Sequence, residues 1–203
     1  MGERINNDEY TILEFWKKFK EITPLLVQSK FQNQALIEKI DNWVLSLGNF
    51  NWEIGPGIRS GYSFTISPNG NKILLNETKR IVSYAPLIEN WEFYYSKQPK
   101  TWELKFQFQD SGNLISVDAN SWHHVLLKYP DNTFDILIQA NNLEGLSTET
   151  KQIAAQIALD GLLGEELSLN LIQNVDVVKE FPKEYSQQAS DFKDLYKQLL
   201  KFL

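Results

Sequence analysis

The residue types best suited to chemistry in this chain lie in Leu159-Asp160-Gly161-Leu162-Leu163-Gly164-Glu165-Glu166. Helical spacing makes Ile153, Ile157 and Gly161 a buried stripe, with Asp160 at its edge. A carboxylate in apolar surroundings is either paired or has its pKa raised, the property a general acid needs. Glu165 or Glu166, just beyond Gly164, supplies a second carboxylate, and such a pair describes a hydrolase or transferase. The plainer alternative has Asp160 accepting hydrogen bonds from a neighbouring backbone or lysine while the glutamates are solvated. Structural ion pairs perturb carboxylates as readily as catalysis does, so the plainer alternative is preferred.

His123 and His124 are the two histidines. On a strand they point to opposite faces, so one metal does not take both, and no cysteine completes a site. His123 with Asp118 or Asp135 is the one remaining cross-strand combination; the expected arrangement is one histidine facing the core and one facing solvent. No Gly-x-Ser-x-Gly elbow presents a nucleophile to either. Gly55-Pro56-Gly57-Ile58-Arg59-Ser60-Gly61 superficially suggests a phosphate loop. Both its flanks read as strands, however, and no Gly-Lys-Ser/Thr follows, so a flexible hairpin loop is expected. Trp91, Phe93, Tyr94, Tyr95 and Trp102 are residue types suited to a stacking platform for sugars or bases, but the alternation of Trp91, Phe93 and Tyr95 reads more simply as a core face, with Tyr94 outward. No cofactor and no metal is expected.

The elements that must position these groups follow from hydrophobic period. Ile12, Phe15, Trp16 and Phe19 predict a helix from about Asp8 to Ile22, ended by Thr23-Pro24. Leu36, Ile40, Trp43, Val44 and Leu47 predict a second, capped by Gly48. Strands follow around Phe50–Ile54 and Tyr62–Ile66, then a helix from Asn71 to about Tyr84. The second half reads as an antiparallel meander: Trp91–Ser96, Thr101–Gln109, Leu114–Asp118, Trp122–Lys128 and Phe134–Gln139. A helix over Ser147–Leu163, a strand at Leu171–Val178 and a final helix from Tyr185 to Leu203 complete the pattern. The expected fold is α+β, an antiparallel sheet with amphipathic helices packed on it. With no linker-like stretch apparent, residues 1–203 read as one domain.

Composition narrows the function classes. Of 203 residues, 42% are hydrophobic and 23% charged, which is ordinary globular usage. The formal charge of −6 argues against a nucleic-acid partner, which calls for a basic face. Zero cysteines exclude disulfides, thiolate metal sites and thiol nucleophiles. Met1 to Asp8 is polar, and no apolar run approaches membrane-spanning length, so no membrane partner and a cytoplasmic location are expected. Amphipathic terminal helices ordinarily cover their own sheet, which is the preferred reading. The alternative route to a protein partner runs through Trp16 and Phe19 or through Phe192, Tyr196 and Phe202, with Phe202 and Leu195 widening the last apolar arc.

Phe15-Trp16, Ala85-Pro86, Trp91-Glu92-Phe93, Leu159-Asp160 and Leu163-Gly164-Glu165 stand in an order that resembles an uncharacterised bacterial protein family. Its members open on a Phe-Trp helix and carry an Ala-Pro…Gly-Trp-x-Phe step and a Leu-Asp-x-x-Leu-Gly-Glu segment. This chain has Asn90 where that family often has Gly. The resemblance implies a bacterial cytoplasmic origin and no particular activity; Asp160 and Glu165 match its pattern. The function expected is therefore non-enzymatic protein–protein binding, accessory or immunity-like. The alternative is a hydrolase or transferase using Asp160 with Glu165 or His123.

Overall fold

Helix α1 (Glu9–Gln28) begins where its apolar period begins and runs on past the proline expected to end it. Pro24 has no N–H to offer the Lys20 carbonyl one turn back. Thr23 Oγ1 donates to that carbonyl instead, at 2.9 Å, so the helix continues without an orphaned acceptor. The computed structural model describes residues 9–202. The polar stretch Met1–Asp8, which includes the expected helix start, and Leu203 lie outside them.

Among the described residues there are six α-helices and nine strands, an α+β fold with antiparallel pairs. The chain divides into two compact units, Met1–Lys97 and Gln98–Leu203. Where the sequence reads as one domain, two separate apolar clusters form, one in each unit.

In the first unit, α2 (Gln34–Leu47) is capped by the Asn33 side chain, which accepts from Leu36 N, and by Gly48. Strands β1 (Asn51–Gly55) and β2 (Tyr62–Ser67) pair antiparallel across the glycine-rich loop. Asn71 caps a 3-10 turn, Lys72–Leu74, that leads into α3 (Leu75–Ser83). Asn90 then turns the chain at φ 62°, a conformation asparagine tolerates better than most residues. Strand β3 (Trp91–Tyr94) lies parallel to β2, because α3 carries the chain back to the same end of the sheet. The core packs rings on rings: Phe19 lies 4.4 Å from Phe64, and Trp16 lies 4.9 Å from Phe93. The Trp16 indole N–H is satisfied by the Ile81 carbonyl at 2.7 Å.

The expected antiparallel meander is distributed over three sheets: its first strand, Trp91–Tyr94, is the parallel β3 of the first unit, and the other four form two sheets in the second unit. Strands β4 (Lys105–Asp110) and β5 (Asn113–Asp118) form a two-stranded ribbon. Residues 101–104 do not extend β4, because Leu104 adopts φ 55° and breaks the strand there. Strands β6 (His123–Lys128) and β7 (Phe134–Gln139) pair antiparallel. Helices α4 (Thr148–Leu163) and α5 (Glu165–Leu171) then return the chain to β8 (Ile172–Val178), parallel to β7. The expected terminal helix is largely replaced: β9 (Ser190–Asp191) pairs with β6 first, and α6 spans only Leu195–Leu199. The edge of β6 offers those residues backbone partners, which outweighs their helical period. No helix among the described residues is long and apolar enough to cross a membrane.

Candidate functional site

The α4–α5 elbow holds the carboxylates singled out by type. Ser147 caps α4 through its side chain, which accepts from Thr150 N, and Gly164 ends the helix at φ 79°. That left-handed turn suits glycine and lets α5 start at once, carrying Glu165 inward. The buried residues of α4 are Thr150, Ala154, Ala155, Ala158, Leu159, Asp160, Gly161 and Leu163; of the expected stripe only Gly161 is among them, Ile157 being partly buried and Ile153 exposed. Small alanines allow the helix to approach its sheet closely, and this rotates the stripe away from Ile153. Asp160 therefore sits inside the fold, 6% exposed, rather than at its edge.

Gln156 Nε2 donates to Asp160 Oδ1 at 2.7 Å and lies 3.4 Å from Ser168 Oγ. Glu165 is fully buried, so it is not the solvated residue the plainer alternative described. A wall closes over the elbow. The Trp102 ring lies where a Cβ on Gly161 would stand, 2.2 Å away, and Lys100 N donates to the Gly161 carbonyl at 2.7 Å. The Trp102 indole N–H is buried and has no hydrogen-bond partner. The elbow holds two buried carboxylates, Asp160 and Glu165, with Gln156 bridging by hydrogen bonds from Asp160 toward Ser168.

His123 is not part of that arrangement. It is exposed on β6, and its Nε2 lies 3.5 Å from Asp191 Oδ1, whose other oxygen takes Lys193 Nζ at 2.9 Å. Those contacts hold the Asp191 carboxyl below its ordinary pKa, Lys193 contributing most. His124 faces the other way and is fully buried; Nε2 meets Gln198 Oε1 at 3.0 Å, and Nδ1 has no hydrogen-bond partner among the described residues. Burial pushes its pKa down. One histidine inside and one outside is the arrangement strand alternation requires. No group of three or more metal-ligating side chains occurs among the described residues.

Of the apolar candidates for partner contact, three are core residues. Trp16, Phe19 and Phe192 are buried, as is Leu195. Each belongs to the apolar cluster of its own unit and presents no free face. Tyr196 and Phe202 are 42% and 43% exposed, and Leu200, between them in sequence, is 51% exposed. The outer face of α1 exposes Tyr10 and Leu13 instead of Trp16 and Phe19. The C-terminal turn is held from beneath by Phe192, Leu195 and Leu199, all fully buried, and by the Gln198–His124 contact.

One polar group escaped the reading of residue types. Glu92, on β3, is only 9% exposed. Its carboxylate accepts from Tyr94 Oη, from Arg59 N at 2.5 Å and from Ile58 N at 3.3 Å. Tyr94 is therefore half-buried and bonded rather than outward, and the glycine-rich loop is pinned rather than flexible. Ser63 Oγ adds a bond to the Pro56 carbonyl at 3.1 Å, and a Cβ on Gly57 would stand 2.6 Å from the Ser60 carbonyl oxygen. The loop's converging N–H groups do bind an anion, and that anion is the chain's own carboxylate. The Tyr94 hydroxyl, with lesser help from the loop, holds the Glu92 pKa at about 2, and burial with Glu92 raises Tyr94 to about 12. The available signal was spacing: Glu92 and Tyr94 share one face of a strand by i, i+2.

Comparison with family models, with curated proteins and with solved structures finds no match to this chain.

Proposed function

We propose that the protein is a non-enzymatic binding protein, accessory or immunity-like, that engages another protein through its C-terminal turn. The observation that carries this reading is the clustering of Tyr196, Leu200 and Phe202, about half exposed, on a short element anchored by fully buried neighbours. Large apolar side chains gathered on a rigid support are the usual form of a protein contact. Others, such as Ile73 and Leu87, stand alone on the surface and ask for no explanation. The motif resemblance supports a bacterial cytoplasmic setting.

The rival reading, a hydrolase or transferase centred on Asp160 and Glu165, draws on the burial of both carboxylates. Gln156 and Ser168 beside Asp160 fit equally well a polar joint between two helices.

The test uses amine cross-linking in native host cells, because Lys128, Lys197 and Lys201 mark the surface. The expected result is one partner joined to these lysines, its capture lost in Leu200→Ser with Phe202→Ser. Cross-links confined to other lysines, or a turnover that disappears in Asp160→Asn, would overturn the reading.

A further inference from the structure

We infer that the C-terminal turn docks an acidic segment of its partner, one that also carries a large apolar side chain; this rests on the binding reading above. The argument is a contrast of charge. The whole chain carries −6, yet Lys193–Phe202 holds three lysines against the single acid Asp194. Asp191, just before it, engages Lys193 at 2.9 Å; with Asp191 and Asp194 both counted the segment stays net positive, and Lys197 and Lys201 lie beyond both acids in sequence.

Their placement matches the apolar residues. Leu200 N donates to the Tyr196 carbonyl at 3.1 Å and Phe202 N to the Leu199 carbonyl at 2.9 Å, so the chain stays coiled to its described end. Tyr196 and Leu200 thus form one i, i+4 row, and Lys197 and Lys201 form the row beside it. A third cation comes from the sheet. Lys128 and Phe134 are register partners on β6 and β7. The Phe202 ring rests 5.4 Å from Phe134, with the Lys128 ammonium 4.7 Å above it. Apolar anchors flanked by cations on an acidic protein fit a chain that is acidic and apolar in turn.

Other occupants fit less well. A second copy meeting this face across a two-fold axis would set lysine against lysine. Nucleic acid asks for a broad basic face, and an anionic bilayer for a denser basic cluster than three lysines.

A random-peptide display library panned against the full chain provides the probe, followed by binding of the enriched peptides to three proteins: the wild type, Leu200→Ser, and Lys197→Glu with Lys201→Glu. All three substituted residues lie on the protein surface, and thermal unfolding verifies that the variants keep their fold. Enriched peptides rich in Asp and Glu and containing Trp, Phe, Leu or Met are expected. Their affinity should fall about tenfold or more in either variant and weaken with added salt. Peptides that lose binding only in Leu200→Ser would overturn the acidic partner and leave the binding surface standing. Peptides indifferent to both variants would overturn the surface itself. Stronger capture of a DNA duplex or of phosphatidylserine vesicles than of any peptide would overturn the protein partner.

Discussion

The Tyr94 hydroxyl donates to the Glu92 carboxylate two residues earlier on the same strand face, and the Ile58 and Arg59 amides converge on that carboxylate from the β1–β2 loop. The pair works against solvent pH from both sides. Glu92 has its pKa lowered from 4.5 to about 2, so its stabilisation is complete above 4.5 and is lost as pH falls toward 2. Tyr94 has its pKa raised from 10.0 to about 12, so its contribution holds below 10 and disappears as pH rises through 12. In Tyr94→Phe the Glu92 carboxyl should titrate well above 2, followed by carbon-detected NMR. In Glu92→Ala the Ile58 and Arg59 amides should exchange faster, and the tyrosinate absorbance of Tyr94 should appear below pH 12. It should not return fully to 10, because burial is the larger cause of the shift. Unchanged exchange at Ile58 and Arg59 would show that the loop keeps its shape without the carboxylate.

Gly161 separates two opposing effects of known size. Alanine inside a helix is favoured over glycine by about 1 kcal/mol. At Gly161, however, the new Cβ would stand 2.2 Å from the Trp102 ring. Overpacking of this kind costs on the order of 1–3 kcal/mol, so Gly161→Ala should destabilise the protein in urea unfolding. In a Trp102→Ala background the sign should reverse, because only the helical preference remains. Equal effects in both backgrounds would mean that the ring moves aside without cost.

The first helix offers a test of how it passes a proline. Thr23→Val keeps the shape of the side chain but removes the donor that satisfies the Lys20 carbonyl. A loss of about 1 kcal/mol is expected, the usual worth of one intramolecular hydrogen bond. Thr23→Ser should recover most of it. If Val and Ser variants unfold at the same denaturant concentration, water serves the Lys20 carbonyl as well as Thr23 does.

These cases also show where the pattern of residues was sufficient. The cap at Gly48 and the start of α4 after Ser147 stand where their residue types placed them, because a cap depends on a few neighbouring residues. Pro24 misled because the compensating hydroxyl belongs to Thr23, and a side-chain bond is invisible to hydrophobic period. The terminal helix misled for a tertiary reason: the β6 edge takes Ser190 and Asp191, and of the described part of the expected span only Leu195–Leu199 is α-helical, preceded by short 3-10 turns. Periodicity marks Trp91 as core, and it marks a buried face at Trp16, Phe19 and Phe192 that serves either the chain's own sheet or a partner; burial decides for the chain's own core, since amphipathic period names a buried face without naming what buries it. Glu92 was missed because its partners, Ile58 and Arg59, come from a loop more than thirty residues away. At the elbow, Asp160 is legible as an acid among apolar residues and Gln156 as its i, i+4 neighbour on the same helix, whereas Ser168 comes near only through the turn at Gly164.

His124 should make the docking of the C-terminal segment sensitive to acid. Its ring is fully buried against Phe192, at 6.3 Å between ring centres, and bonds Gln198 through Nε2. Burial lowers its pKa below the ordinary 6.5, and the Gln198 bond and the nearby Asp194 charge offset only part of that. A base with a depressed folded pKa takes up its proton more readily when unfolded. Its neutral form therefore supports the fold fully above pH 6.5, and that support declines as pH falls below it. Between about pH 7 and 5, the window of an unperturbed histidine, thermal stability should drop in the wild type and drop less in His124→Gln. Amide exchange should locate the loss at Ser190–Asp191 and Leu195–Leu199, the segments that lie over the ring. A wild-type profile as flat as the variant's across this window would show that the buried imidazole accepts its proton without disturbing them.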